Sequence, residues 1–116
     1  PEAKMHPAYA DRLGQTEAHE TVVTRAFTGR AGRSITTAYL RASATPTAPP
    51  PAPYPIQRGF TRTMRENAKN VGDTERMQMW AGQAAGFARA ESAGIITQQL
   101  WEDACHLLPE LSRLSK

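Results

Sequence analysis

The sequence predicts a mainly α-helical fold with one or two short strands, which places it in the α+β class. Apolar residues recur at helical spacing in several segments, whereas only one run is rich in β-branched residues. Aromatic residues make up only 7% of the chain, so the core is expected to consist mainly of aliphatic and Met side chains. With 116 residues, the chain is long enough for one domain at most.

The first third of the chain is expected to contain a helix, a strand and a second helix. Pro7–Leu13 begins with a proline suited to a first helical turn and continues with residues that favour helix. Thr21–Phe27 (TVVTRAF) is β-branched and predicts a strand. The glycine-punctuated run Gly29–Arg33 predicts a turn, after which Ser34 is expected to cap a helix that extends to about Arg41.

This arrangement leaves the predicted strand without a partner. A lone strand has backbone N–H and C=O groups without hydrogen bonds, so its partner is expected to lie outside this chain. The chain also begins at Pro1 without an initiator Met or a signal-peptide pattern. No window reaches the roughly 18 uninterrupted apolar residues of a membrane span. We therefore expect a piece of a larger soluble protein whose beginning is missing.

The middle of the chain is rich in proline. Ala42–Pro55 contains six prolines among its 14 residues. Polyproline II or disorder is expected there because proline disrupts both helices and sheets. The favoured interpretation is a spacer between two helical parts, and the alternative is a ligand for a proline-binding module.

Three helices are expected after the proline-rich segment. Ile56–Lys69 has apolar residues at i, i+4 and i+8 on one face and basic residues on another. Asp73 is a suitable N-cap for a helix over Thr74–Trp80. Helical spacing of apolar residues predicts the last helix over Gly94–Leu108, and Pro109 is expected to interrupt it.

The charge distribution allows more than one kind of partner. The net charge is +3, and Thr21–Arg41 carries four arginines with no acid. Together with the basic face of Arg58–Lys69, this patch can meet phosphate, nucleic acid or an acidic surface, or it can simply be solvated. A small basic nucleic-acid-binding module is thus a competing hypothesis. It is weakened because Phe27 and Tyr39 are the only aromatic residues near the patch and no reading helix is recognisable.

Few residues could support metal or nucleophilic chemistry. His6, His19 and His106 have no ligand-like neighbour at i+3 or i+4, so no metal site is expected. Cys105 precedes His106, but adjacent residues on a helix point about 100° apart, and a small core residue is favoured over a reactive thiol. A single cysteine excludes an internal disulfide and fits a reducing compartment, and a cytoplasmic location is expected.

Two short stretches suggest a ligand as well as a structural role. In Trp80–Gly86 (WAGQAAG), Gly82 and Gly86 could allow close helix packing or the approach of a backbone to a flat ligand. Gln83 could hydrogen-bond such a ligand, although packing is the favoured interpretation. Tyr54 lies between two prolines at a helix start, where it could present a fixed hydroxyl at a cleft wall or anchor the loop.

Four motifs occur in an order that is typical of one enzyme family. PEAKMHPAY (Pro1–Tyr9) resembles a segment that follows a last barrel strand, and TVVTRAFTGRAGR (Thr21–Arg33) is similar to TVxTRAFSGRPAR. YPIQ (Tyr54–Gln57) and WAGQAAG (Trp80–Gly86) match later motifs with similar spacing. On these motifs, nearly the whole chain resembles the C-terminal region of nitronate monooxygenases (2-nitropropane dioxygenases). It departs from the pattern at Ala31-Gly32, where Pro-Ala is usual, and in a lengthened proline tract.

The resemblance implies that the chain is the C-terminal lid-domain fragment of a TIM-barrel flavoenzyme. The parent would bind FMN without a covalent link and oxidise an alkyl nitronate with O2 to an aldehyde or ketone and nitrite. The flavin carries the redox chemistry, while protein groups position the substrate and screen it from water. Related flavin-dependent NAD(P)H:quinone reductases and enoyl reductases share this architecture and are the alternative.

The same resemblance divides the chain and names its partners. Residues 1–20 would be the last barrel helix region, and residues 21–41 the strand, turn and helix of the small domain. Residues 42–55 would be a proline-rich linker, and residues 56–116 the helical C-terminal part. The expected partners are a small-molecule nitronate, O2 and the remainder of the barrel, with neither nucleic acid nor membrane.

The resemblance also implies roles for single residues. The catalytic His and most FMN-phosphate contacts would lie upstream, so no catalytic residue is expected in this chain. Tyr54 is expected at the substrate cleft, and Gly82 and Gln83 near the flavin. Arg58 and Arg62 stand where some relatives carry further polar residues, one and two turns after the Tyr. A contact with the domain interface or a barrel carboxylate is expected for three arginines, namely Arg25, Arg30 and Arg33.

Overall fold

The computed structural model describes residues 3–108. Met5–Ala88 forms one compact unit, and the segment that starts at Arg89 belongs to a second unit together with the first residues of the chain. The elements of the larger unit are the following: α1 (Pro7–Gly14), β1 (Thr21–Thr24), β2 (Gly32–Ile35), α2 (Ala38–Ser43), α3 (Ile56–Phe60) and α4 (Arg62–Val71), with 3-10 turns at Ala18–Glu20 and Ala85–Phe87. The second unit contains α5 (Ala93–Leu107). This composition confirms a helix-rich fold with two short strands.

The predicted strand has its partner within the chain. β1 pairs antiparallel with β2, with Thr21 opposite Ile35 and Thr24 opposite Gly32. The expectation of a partner outside this chain was therefore wrong, because β2 begins within the last two residues of the predicted turn and continues through Ile35. β1 itself is shorter than predicted, since the chain turns after Thr24 and Phe27 lies in the connection.

The other edge of β2 is covered by the segment that leads into Trp80. The Ile35 N–H donates to the Met79 carbonyl at 3.0 Å, and the Ala81 N–H donates to the Arg33 carbonyl at 3.1 Å. The helix predicted over Thr74–Trp80 was therefore wrong, since residues 74–76 form a turn and the following residues extend along the sheet. Backbone hydrogen bonds to β2 replace those that a helix would have supplied.

Ser34 is a strand residue and does not cap a helix. Its hydroxyl is buried and donates to the Met79 carbonyl at 2.8 Å. The N-cap of α2 is Thr37, whose hydroxyl accepts from the Leu40 N–H at 3.3 Å. The predicted helix thus begins three residues later than the sequence suggested, because the sheet requires extended backbone at Ser34.

The helix predicted over Ile56–Lys69 is divided into α3 and α4 at Thr61. The Thr61 hydroxyl is buried and donates to the Phe27 carbonyl at 2.6 Å. α4 ends at Val71 and is capped by Gly72, whose φ of 71° is the left-handed conformation that glycine favours. The Thr61 hydrogen bond attaches the junction between α3 and α4 to the turn that follows β1.

The core of the larger unit consists of two neighbouring clusters. One contains buried Ile35, Ala68, Met77 and Met79, and the other contains buried Ala26, Phe27 and Leu40. The ring of Phe27 is fully buried and contacts the rings of Tyr39 and Trp80, with centroids 5.1 Å and 6.1 Å away. This agrees with the prediction of a core made mainly of aliphatic and Met side chains, to which Phe27 adds one fully buried aromatic ring.

The proline-rich segment has no helix or strand after Ser43, as expected, but part of it is packed. Gly29 adopts a φ of 88°, and a Cβ there would lie 2.5 Å from the Tyr54 nitrogen and 2.6 Å from the Ala52 oxygen. The Gln57 side chain accepts from the Ala52 N–H at 3.0 Å and donates to the Ala26 carbonyl at 2.7 Å. The end of the segment is therefore held against the turn after β1.

The helix of the second unit, α5, agrees with the predicted last helix. Ser92 caps it through a hydrogen bond from the Ile95 N–H. Several large apolar side chains of α5 are exposed, among them Leu100, Trp101 and Leu107. The predicted interruption at Pro109 lies outside the described residues. Among residues 3–108, no helix has the length and apolar character required to cross a lipid bilayer.

Candidate functional site

A cleft of about 270 Å³ lies within the larger unit, between the start of α3, α4 and the strand-like segment that precedes Trp80. Its walls combine two aromatic rings with polar and cationic side chains: Thr28, Tyr54, Arg58, Arg65, Gln78 and Trp80. No carboxylate belongs to this lining. The cleft is therefore positively charged, and its aromatic walls can contact a flat or apolar group.

Tyr54 is positioned by the packed end of the proline-rich segment. Its backbone nitrogen contacts Gly29, and the peptide bond to Pro55 is cis. The Arg30 guanidinium lies 4.2 Å from the centre of the Tyr54 ring, a cation–π contact. The residue is nevertheless 40% exposed, and it belongs to the lining of the cleft. Its contact with a substrate stays a prediction.

Arg65 is held rigidly in the cleft by three hydrogen bonds. It donates from Nε to the Thr61 hydroxyl at 3.1 Å, from Nη1 to Gln78 Oε1 at 2.9 Å and from Nη2 to the Arg58 carbonyl at 3.1 Å. None of these acceptors is a carboxylate. Burial, followed by the charge of Arg58, lowers the pKa of Arg65 from its usual value. Arginine stays protonated all the same, so the cleft retains an uncompensated positive charge.

The two arginines expected near Tyr54 have different environments. Arg58 lines the cleft, and its guanidinium has no hydrogen-bond or ion-pair partner among residues 3–108. Arg62 instead forms an exposed ion pair with Glu66 at 2.9 Å and is not part of the lining. Arg65 was expected only on the basic face that it shares with Arg58 and was not predicted as a site residue, although the spacing of seven residues fits a common helical face.

The WAGQAAG stretch contains two glycines with different surroundings. Gly86 lies in a 3-10 turn, and a Cβ there would lie 2.9 Å from the Thr16 carbonyl oxygen, so this glycine serves close packing. Gly82 has no atom within 4 Å of such a position, and both Gly82 and Gln83 are exposed. Neither Gly82 nor Gln83 lies inside a helix, so Gly82 does not provide the close helix packing that the sequence suggested. Their expected proximity to a flavin stays a prediction.

Trp80 connects this stretch to the cleft. Its carbonyl accepts a hydrogen bond from the Tyr9 hydroxyl, and its ring lies over Gly32, where a Cβ would be 2.9 Å from the ring. The ring edge meets Phe27, and another part lines the cleft. Trp80 belongs to the cleft lining, and the exposed Gly82 follows it by only two residues.

The remaining arginines of the TRAFTGRAGR motif make contacts within the larger unit. Arg25 donates to the Gly29 carbonyl at 3.1 Å, and Arg33 donates to the Thr21 hydroxyl at 3.1 Å. Arg30 lies over Tyr54, as described above. These arginines therefore stabilise the β1–β2 connection, and their predicted role at a domain interface stays a prediction.

The histidines and the cysteine considered as metal ligands in the sequence have the following surroundings. His6 caps α1 by accepting from the Ala8 N–H, and His19 lies 3.3 Å from Glu17. Cys105 is half-buried on α5. Within the described part of the chain, no group of three or more His, Cys, Asp or Glu side chains is placed to hold a metal ion.

Comparison with known proteins identifies the family to which this chain belongs. Residues 1–103 match the family model described as nitronate monooxygenase. The chain is 34% identical to a nitroalkane oxidase from Streptomyces ansochromogenes whose structure is solved, with a TM-score of 0.76 over 96% of this chain. The chain therefore belongs to the nitronate monooxygenase family.

Bacterial relatives agree with this membership. Proteins named "Probable nitronate monooxygenase" from Staphylococcus aureus strains Newman and MSSA476 are 31% and 32% identical over 90 residues, which is 78% of this chain. The chain spans only 25% of the length of these relatives and 30% of the Streptomyces chain.

Proposed function

We propose that this chain acts as the C-terminal part of an FMN-dependent nitronate monooxygenase. The parent enzyme would oxidise alkyl nitronates with O2 to carbonyl compounds and nitrite, in the cytoplasm. The observation that carries the proposal is the family match over residues 1–103, which includes the segments that form the cleft. The share of the relatives' length that the chain spans supports a role as one part of a larger barrel enzyme.

The exposed part of the WAGQ motif fits a flavin ring. Gly82 leaves space for a flat group, and the Gln83 side chain has no hydrogen-bond partner among residues 3–108. A free carboxamide can donate to a ring carbonyl or accept from a ring N–H. The basic residues of the larger unit do not form a phosphate-binding loop in the described ranges, so FMN phosphate would be held by the barrel. When bound, FMN supplies the redox chemistry.

The residues of this chain would bind the substrate and shield it. Tyr54 and Trp80 form two walls of the cleft, and they can exclude water from a small apolar chain. A nitronate is an anion, which suits a lining that contains two arginines and no carboxylate. The catalytic proton transfer is assigned to barrel residues and not to this chain.

The full-length gene product provides the test. It should be yellow, and it should consume oxygen when ethyl nitronate is added, while the isolated 116-residue chain should bind no FMN. A colourless but folded full-length protein would contradict the proposal. Steady NADH oxidation with a quinone, without nitronate turnover, would assign the parent to the related reductases instead.

A further inference from the structure

The cleft beside Tyr54 contains an excess of positive charge that the fold itself does not use. The Arg58 guanidinium has no partner among residues 3–108, and Arg58 lines the same cleft as Arg65, on which its positive charge acts. The nearest acid of α4, Glu66, is paired with Arg62 at 2.9 Å. Two like charges close together repel each other, so such a pair is stable only when solvent or an anion compensates it.

Arg65 is preorganised as one half of an anion site. Its three hydrogen bonds to neutral acceptors fix the plane of the guanidinium. A guanidinium has five N–H donors, so two donors of Arg65 make no hydrogen bond within residues 3–108. Because these bonds have already restricted the side chain, an incoming anion would cost little additional rotamer entropy.

We propose that Arg58 and Arg65 form a binding site for a small planar oxyanion in the Tyr54 cleft, and that Arg58 determines selectivity for the anionic nitronate over the neutral nitroalkane. The two oxygens of a nitronate or a nitrite match the forked donors of a guanidinium. The aromatic walls formed by Tyr54 and Trp80 accommodate the carbon chain of a nitronate, which nitrite lacks. This inference rests on the proposed function for the identity of the substrate, but the anion site itself depends only on this chain.

The test is a titration of the 116-residue chain followed by two-dimensional ¹H–¹⁵N NMR. Ethyl nitronate should shift the indole N–H signal of Trp80 and the Nε–H signal of Arg65 in a saturable way. Freshly dissolved neutral nitroethane should leave both signals in place. Raising the ionic strength should weaken nitronate binding because the cleft is open to solvent.

Two matched variants separate a specific contact from a general change in charge. Arg58→Gln should raise the Kd for ethyl nitronate about tenfold, the expected effect of losing charge-assisted hydrogen bonds. Arg62→Gln removes the same charge one turn later, outside the cleft lining, and should change the Kd less than about twofold. The Arg58 side chain makes no hydrogen bond in the described part of the chain, so Arg58→Gln should fold normally, and its melting temperature verifies this.

Three results would overturn the inference. The first is an equal effect of the two variants, which would indicate only long-range electrostatics. The second is equal binding of neutral nitroethane. The third is binding of nitrite without binding of ethyl nitronate, which would exclude the substrate role. A full-length protein without flavin would contradict the proposed function but not the oxyanion site. An unchanged Kd for ethyl nitronate in Arg58→Gln would contradict only the oxyanion site.

Discussion

Replacing Gly29 with alanine tests how the proline-rich segment is held beside the cleft. A Cβ at this position would lie 2.5 Å from the Tyr54 nitrogen, 2.6 Å from the Ala52 oxygen and 2.7 Å from the Pro53 carbonyl carbon. All three are backbone atoms, so no side-chain rotation can relieve the overlap. The φ of 88° is also one that residues with a Cβ rarely adopt.

The expected loss of stability follows from these two causes. Left-handed backbone costs a non-glycine residue about 1–2 kcal/mol, and overpacking costs about 1–3 kcal/mol. The free energy of unfolding should therefore fall by about 2–5 kcal/mol, a large part of the about 5–15 kcal/mol that is typical of a folded protein. The Tyr54 ring should also lose its fixed position over Arg30.

Urea denaturation followed by circular dichroism measures this change, with Gly59→Ala as the control. Gly59 lies within α3, and a Cβ there would meet no atom within 4 Å. Alanine at that position should stabilise the helix by about 0.5–1 kcal/mol, the opposite sign. If Gly29→Ala unfolds at the same urea concentration as the wild type, the described packing of the proline-rich segment is wrong.

Three further predictions concern the junction, the acid sensitivity and the WAGQ motif. Thr61→Val removes the buried hydrogen bond to the Phe27 carbonyl and should lower the free energy of unfolding by about 1–3 kcal/mol. The control Thr63→Val changes an exposed residue and should have little effect. Equal losses of stability in urea titrations of the two variants would contradict this prediction. Asp73 accepts from its arginine partner at 2.7 Å, and its pKa is lowered mainly by that bond and then by a backbone N–H. Its contribution is therefore present above the unfolded-state pKa and is lost as the pH falls through the folded-state pKa, so thermal melts of Asp73→Asn should lose stability less steeply in acid than the wild type. Gly86→Ala should destabilise the chain, while Gly82→Ala should leave its melting temperature unchanged and weaken FMN binding by the full-length enzyme, as measured by flavin fluorescence.

The local elements that the sequence predicted are those whose hydrogen bonds lie within a short segment. α1 and α5 agree with the predicted helices because their N-terminal signals act on residues within one turn: Pro7 is the first residue of α1, and Ser92 caps α5. The strand at Thr21 was also recognisable, because β-branched residues favour a strand whichever segment it pairs with. The predictions were wrong where contacts between residues far apart in the sequence determine the backbone conformation, as at Ser34 and Thr61.

The candidate site shows the same division. The motif residues Tyr54, Gly82 and Gln83 were chosen from the sequence, and each proved accessible in the fold. The cationic lining was not predicted as a unit, because Arg58 and Arg65 act together only once α3 and α4 are placed against the segment that precedes Trp80. The sequence treated Arg58 and Arg62 alike, whereas the structure separates them by their surroundings.

The sequence by itself therefore determined the family, the helical character of both ends of the described chain and the motif residues, all of which are encoded in short, ordered strings. The tertiary structure alone decided that the strand is paired within the chain and that the side chains of Arg58 and Arg65 line one cleft. The physical reason is that strand pairing and charge compensation depend on which groups, distant in the sequence, meet when the chain folds.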